Sequence, residues 1–526
     1  MTTQRRTLVV DDEQLELLRT PRDGILLERP VGPDRWELAE GPFDAYVRTL
    51  SVESGIDGNH AVVEEHEWSL AIPIWWVIYW LPIREHFRRG TRTRSPWWAP
   101  AGRLDARAAR VIGLLGVLAL VNGYLGTVIG QTLTFAADEF CGEFEVVDGL
   151  RSCIDPNADE SARADIFSIV RIAVILSLGL TVAADRVGRR SAIRAAVIAS
   201  CAATALGALA PGLGTVTLTQ IVARGLATGL AILITVFAAE ELPPRSRAYG
   251  ASMLVLLAGL GSGMVVWVLP SAGIADWGWR IVYAIAALFL PVAWWAATQL
   301  PTTRRFAHTT RSTISASLRE LAQNDKWRKR LLLLGAAALF GTIFSQPASQ
   351  FDNDFLKNEL GFTAARISLF TVVTSTPVGL GVLAGGMLAD RIGRRPVGAV
   401  GVAIGTVMTL WSFFADEPSI WFIRTAGTIL GSGIAIPALA VYGPELFPTR
   451  LRGAANGLVI TFGVTGTVIG LQIVGRLAER WDAFGPALAL VAIGPAIVVG
   501  LIVMLFPETA ALTLEELNDE APLGDS

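Results

Sequence analysis

The chain reads as an all-α membrane protein of twelve transmembrane helices, arranged as two six-helix pseudo-symmetric bundles behind a small β-rich N-terminal extension. Three observations predict this. Of 526 residues, 52% are hydrophobic and only 17% charged, too apolar a balance for an ordinary soluble multidomain chain. Twelve stretches have the roughly 20 apolar residues that a helix needs to cross the hydrocarbon core. They are 109–131, 164–184, 191–210, 214–238, 248–270, 278–299, 331–351, 367–388, 396–415, 418–441, 454–475 and 483–506. Finally, the cassette Ala184-Asp185-Arg186-Val187-Gly188-Arg189-Arg190 returns 205 positions later as Ala389-Asp390-Arg391-Ile392-Gly393-Arg394-Arg395. Glu240, Pro243, Arg245 and Arg247 return at the same displacement as Glu445, Pro448, Arg450 and Arg452, so the chain is a tandem duplication.

In chain order, residues 1–67 are acidic and carry two strand-like runs, Phe43 to Val52 and His60 to Leu70, joined by the turn residues Ile56-Asp57-Gly58-Asn59. This predicts a β-rich cytosolic appendage. No cleavable secretory signal is evident. Residues 68–105 follow, Trp-rich and then basic; Trp68 to Ile83 is broken by Pro73 and Pro82 and is too short to span. Tryptophan favours the membrane boundary, so this segment is read as interfacial, with a thirteenth span as the alternative. The first bundle occupies 106–300, a cytoplasmic linker 301–330, the second bundle 331–506 and an acidic tail 507–526. Small-residue runs such as Gly259-Leu260-Gly261-Ser262-Gly263 let helix backbones approach closely.

The arginines before the first span, those in both cassettes and those in the linker fall on one side. They assign both termini to the cytoplasm of a plasma-membrane protein. The loop flanked by Cys141 and Cys153 is then external, and a disulfide between them is one of two readings, free thiols being the other.

Six spans plus six, a cytoplasmic linker and the run from Gly386 to Arg395 resemble the major facilitator superfamily of secondary transporters over about residues 105–515. Pro444-Glu445-Leu446-Phe447-Pro448-Thr449-Arg450, Pro507-Glu508-Thr509 and Leu514-Glu515-Glu516 are similar to its sugar-porter and metabolite:proton symporter branches. The resemblance implies alternating access. It also implies a gating latch that ties the halves together in the outward-facing state, with Asp185 and Asp390 as anions among Arg186, Arg189, Arg391 and Arg394. Glu240, Arg245, Glu445 and Arg450 belong to the same machinery, while Gly188 and Gly393 permit a tight turn. The first cassette departs from the pattern at Thr181 and Ala183.

An arginine at a helix centre costs about 2.5 to 3.5 kcal/mol on insertion scales, so intramembrane charges face a cavity or a partner. Arg171, Arg224 and Arg424 are the candidates, with Arg424 placed near a span end where it could reach the interface. Asn122 stands mid-span where some proton-coupled relatives carry Asp, and Asn cannot titrate. Gln346 and Gln350, at i and i+4 beside Pro347, share a face of the seventh span, and Asp352 and Asp354 follow them. Thr374, Thr461 and Gln472 could add hydrogen bonds, and Trp267, Trp294 and Trp295 read as interface anchors. No metal-ligand cluster, cofactor motif or nucleotide loop emerges, and no nucleophile–base pair, so no enzymatic activity is expected. Expected partners are a small polar or anionic solute, a coupling proton and the bilayer, without nucleic acid, for a protein working as a monomer. The function expected is secondary active transport, by symport, with a transporter-like sensor signalling through residues 1–67 as the alternative.

Overall fold

The computed structural model describes the chain except residues 55–58, 91–94, 97, 101, 143, 148–149, 154, 156–157, 174–176, 178–179, 181–183, 185–186, 244–245, 302–313, 441 and 510–526. Asp185, Arg186, Arg245, Thr181, Ala183 and most of the acidic tail therefore lie outside the described residues.

The N-terminal domain is one five-stranded antiparallel sheet in the order β1-β5-β4-β3-β2, from β1 (Thr2–Val10), β2 (Leu27–Gly32), β3 (Arg35–Glu40), β4 (Phe43–Ser54) and β5 (His60–Leu70). β5 runs past the expected boundary at residue 67 because Trp68 still pairs with Tyr46 and Leu70 with Phe43. Helix α1 (Asp12–Arg19) starts on an Asp11 capping box. Alternation on β5 turns Val62, Glu64, His66 and Trp68 to the same buried face. The two polar members are tolerated because Arg22 and Arg48 supply charge there: Arg48 bonds Glu28 at 2.7 Å with both side chains fully buried, and Arg22 donates to Glu64 at 3.2 Å. Helix α2 (Trp76–Arg89) lays Ile83 and Phe87 on this sheet and leaves Ile74, Trp76, Val77, Ile78 and Leu81 at its start exposed. Burial holds His66 below its ordinary range and pushes His86 down to about 4.

The remainder is helical. It comprises α3 (Ala106–Glu139), α4 (Glu160–Ile172), α5 (Arg189–Gly207), α6 (Leu213–Glu241), α7 (Arg247–Val268), α8 (Trp279–Gln299), the linker helix α9 (Ile314–Gln323), α10 (Asp325–Gln350), α11 (Ala364–Ser375), α12 (Val378–Ile392), α13 (Arg394–Ser412), α14 (Ser419–Gly427), α15 (Ile434–Ala440), α16 (Thr449–Trp481), α17 (Phe484–Val491) and α18 (Ile493–Leu505). Among the described residues nine helices are long and apolar enough to cross a membrane. Nine of the twelve expected stretches coincide with them. The stretch 164–184 starts as α4 and runs into undescribed positions, while 191–210 and 396–415 are the helices α5 and α13, with arginines in their first turns.

Between α3 and α4 a short hairpin pairs Phe144–Val147 with Leu150–Cys153. Cys141 is disulfide-bonded, and Cys201 is a buried free thiol. The end of the bundle bearing this hairpin is called the hairpin end below, and the opposite one the cassette end. Trp267 and Trp294 are more than half exposed, as membrane anchors are.

Candidate functional site

Among the described residues the two halves share a core only at the hairpin end. There, one cluster of buried side chains takes Tyr124, Phe167 and Trp279 from the first half and Phe344, Phe351 and Leu471 from the second. At the cassette end the cores are separate, one drawn wholly from residues 104–300 and the other from 321–506.

Polar contacts follow the same division. At the hairpin end several cross between halves, beside pairs such as Arg280–Glu139 and Arg366–Glu417 that do not. Arg163 meets Asp354 at 2.7 Å, both side chains at most 1% exposed, and Lys357 pairs with Asp138. Gln472 Nε2 donates to Asp165 Oδ1 at 2.8 Å and to Ser168 Oγ at 3.1 Å; Ser368 Oγ donates to the Val266 carbonyl at 2.7 Å. Among the described residues, the polar contacts at the cassette end stay within a half. Arg189 pairs with Glu240 and Arg394 with Glu445, each couple 51 residues apart in sequence, so the duplication extends to side-chain partnership.

This alters the expected latch. Arg189 and Arg394, read as context for a tie between halves, here bind acids of their own half. Asp390 stands in the last turn of α12 and Arg391 beside it is exposed; Arg450 lies in the first turn of α16. Gly188 and Gly393 have φ of 90° and 116°, a left-handed conformation that favours glycine, and each is the residue from which the next helix starts. A Cβ on Gly393 would stand 2.6 Å from Glu508. Glu508 has a role that sequence reasoning missed: its carboxylate accepts the backbone N–H of Arg394 at 2.9 Å and of Arg395 at 3.1 Å, capping α13. The signal was the acid in Pro507-Glu508-Thr509 just beyond the last span.

Midway along the bundle, Arg171 and Arg224 each stand eleven residues inside a helix that starts at the hairpin end, about 16 Å deep at 1.5 Å per residue. They are within electrostatic reach of one another. Arg171 Nη2 donates across the halves to Gln346 Oε1 at 2.6 Å. Arg224 has no hydrogen bond or ion pair from its guanidinium among the described residues, and neither arginine meets a carboxylate. Gln350 shares the Gln346 face, with its Oε1 3.0 Å from where a Cβ on Gly130 would be. Among the described residues, Asn122 Oδ1 and both amide atoms of Gln220 are buried without a hydrogen-bond partner. These groups were assembled by tertiary structure; only the Gln346/Gln350 spacing announced itself.

A different face of α10 lines a cavity of about 730 Å³, bordered mainly by the second half with Gln131 of α3. Ser345, Ser349 and Asp352 border it at helical spacing, opposite Thr409, Arg424 and Thr428. Arg424 therefore does not reach out to the membrane boundary: its guanidinium is bonded to Asp352 and lies over the Phe413 ring, 4.8 Å from its centroid. The serines at 345 and 349 carried a legible i, i+4 signal that the reading passed over. Thr374 and Thr461 spend their hydroxyls on their own helices, bonding Phe370 O and Gly457 O.

The fold is two helical halves joined at the hairpin end, and proteins of similar sequence and fold are transporters. Residues 333–522 match the Major Facilitator Superfamily. The cis,cis-muconate transport protein of Acinetobacter baylyi is 27% identical over 291 residues, covering 51% of this chain and 66% of that protein. The inner membrane metabolite transport protein YhjE of Escherichia coli is 23% identical over 348 residues, covering 60% and 76%. Among solved structures, a D-xylose-proton symporter superposes with TM-score 0.60 at 16% identity, covering 76% of this chain and 98% of that one. The nucleoside transporter NupG superposes with TM-score 0.60 at 14% identity, covering 75% and 100%. The match to that superfamily thus lies in the second half of the chain, and the fold of the whole is similar to that of these solved transporters.

Proposed function

We propose that this protein is a secondary transporter of a small organic anion, working by alternating access and coupled to protons, most simply as a symporter. The observation that carries this reading is the pair Arg171 and Arg224: two intramembrane cations near one another, with no carboxylate on either. Their own repulsion and the cost of burial are both relieved by an anion held between them. Asn122, Gln346 and Gln350 are hydrogen-bonding groups suited to the rest of such a solute. A relative named for cis,cis-muconate, a dicarboxylate, is in keeping with it.

Orientation is part of the proposal. With the cassette end in the cytoplasm, by the distribution of arginines, both termini are cytoplasmic and α2 rests at the inner surface of the plasma membrane. The joined hairpin end and the separate cassette-end cores then describe a carrier open to the inside. In the outward-open state Asp185, Asp390 and their arginines would tie the halves on the cytoplasmic side. Proton coupling rests on the resemblance to proton symporters.

The test is a thermal-shift screen of mono- and dicarboxylates on the purified protein, repeated on Arg224→Ala, followed by uptake into proteoliposomes under an imposed pH gradient. A carboxylate that stabilises the native protein but not the variant identifies ligand and site together. If every ligand shift survives the substitution, the site assignment fails; if uptake ignores the pH gradient, the coupling does.

A further inference from the structure

Where the N-terminal domain meets the bundle there is a second cavity, of about 330 Å³, within the size range of about 300–1,000 Å³ for ligand pockets. Its inner wall is apolar and buried: Ile25 and Ile83 from the domain, Ile112 of α3 and Leu257 of α7. Apart from Ser95 and Trp98, the few polar side chains around it are engaged. Tyr79 and Tyr249 bond each other at 2.9 Å, and Trp75 Nε1 donates to the Gly113 carbonyl at 2.9 Å. Arg103 is held by Asp23, by Glu40 at 3.2 Å and by the Gly24 carbonyl at 3.4 Å. Among the described residues a ligand here meets no free charge, which favours a hydrocarbon over an ion or a polar metabolite.

The rim says where that hydrocarbon comes from. Ile78 of α2 and Leu256 of α7 border the cavity while being 62% and 66% exposed. Ile74 just before α2, Val77 and Leu81 on α2 and Val255 on α7 are exposed apolar residues too, the last on a helix apolar enough to span the membrane. Just past Leu81, α2 turns basic with Arg84, Arg88 and Arg89, the order expected of a helix lying at headgroup depth. The opening therefore faces the bilayer sideways.

We infer that this cavity is a lipid site, taking one acyl chain of a membrane phospholipid between the N-terminal domain and helices α3 and α7. The chain then serves as the packing layer between them: a Cβ on Gly113 would stand only 2.7 Å from Pro73, so direct contact exists at one edge and lipid fills the other. The lipid would thus fasten the domain to the first half alone. This inference does not depend on the identity of the transported solute.

The experiment reconstitutes the full chain in vesicles of phosphatidylglycerol and phosphatidylcholine that include a phosphatidylcholine with a diazirine midway along its acyl chain. After illumination, the labelled residues are mapped by mass spectrometry. The expected result is label on the inner wall, at Tyr79, Met253 and Leu257, besides label on the exposed Leu288 of α8, which reports ordinary surrounding lipid. Met253→Trp and, separately, Ala99→Trp fill the cavity from opposite walls and should abolish inner-wall label while leaving Leu288 labelled. Label confined to Ile78, Leu256 and Leu288 in the native protein would overturn the inference, and so would inner-wall label that persists in both filled variants.

Discussion

The hairpin end and the cassette end of the bundle use the same chemistry to opposite effect. Both carry arginine–carboxylate pairs. At the hairpin end, beside pairs within one half such as Arg280–Glu139, the buried pair Arg163–Asp354 crosses between halves next to a shared apolar core. At the cassette end the pairs join residues of one half, Arg189 with Glu240 and Arg394 with Glu445, above cores that do not meet. The attachments repeat the lesson: the N-terminal domain grips α3 and α7 of the first half, while α9 places Leu321 among Tyr442, Leu446 and Phe447 of the second. Under the proposed alternating access, pairs that cross must break in each cycle, and pairs that do not can persist throughout.

The strongest way to break this comparison is at Arg163. Its removal leaves Asp354 buried and uncompensated, a loss of about 3–5 kcal/mol for a buried pair missing one member. Arg163→Ala should therefore lower the melting midpoint more than any cassette substitution. Arg163→Ala combined with Asp354→Ala should cost less than the single change, because no buried charge is left behind. An additive double variant would mean that the pair does not hold the hairpin end together.

A change of pH separates domain from bundle. His86 titrates at about 4 in the folded domain, against about 6.5 when exposed. The unfolded chain therefore binds this proton first on acidification, and stability falls as pH drops from about 6.5 to about 4, by at most about 3 kcal/mol. Hydrogen exchange of the full-length protein at pH 7 and pH 5 should show β4 and β5 losing protection, with α4 and α10 at the hairpin end unchanged. Replacing His86 by Phe should remove most of that pH dependence if the domain accepts the ring.

Between the two ends, Arg224→Ala should weaken solute binding by about 10- to 100-fold, the range for a hydrogen bond to a charged group worth about 1.5–3 kcal/mol. Gln346→Ala should cost less, since its partner Arg171 keeps its charge. Isothermal titration of the ligand found in the screen reads both. Melting midpoints near the native value would show that the loss is one of binding, not of closure.

Much of the architecture was legible because duplication leaves matched residues at one displacement, and membrane spans announce themselves by length. The common 51-residue separation of Arg189–Glu240 and Arg394–Glu445 was also on the page, but only tertiary structure shows that each acid belongs to its own cassette. The N-terminal domain was half legible. Its strands β4 and β5 alternate clearly, whereas β1 is an edge strand with only Val10 buried, and β5 hides Glu64 and His66 on the core face, where an apolar alternation rule does not look for them. Arg424 was misread because its partner Asp352 is 72 residues away, and no local pattern announces that contact.

The smallest expected effect tests the cassette end alone. Glu508→Ala removes the acceptor for two N–H groups at the start of α13, a loss of about 1 kcal/mol typical of a helix cap. If contacts at this end are confined to one half, faster amide exchange should appear at Arg394, Arg395 and the next turn of α13. Exchange at Arg189 and the start of α5 should not change, and neither should the melting contribution of the Arg163–Asp354 pair. Exchange that quickened equally at both cassettes would mean that the two halves communicate at this end after all, and the division between crossing and non-crossing pairs would have to be abandoned.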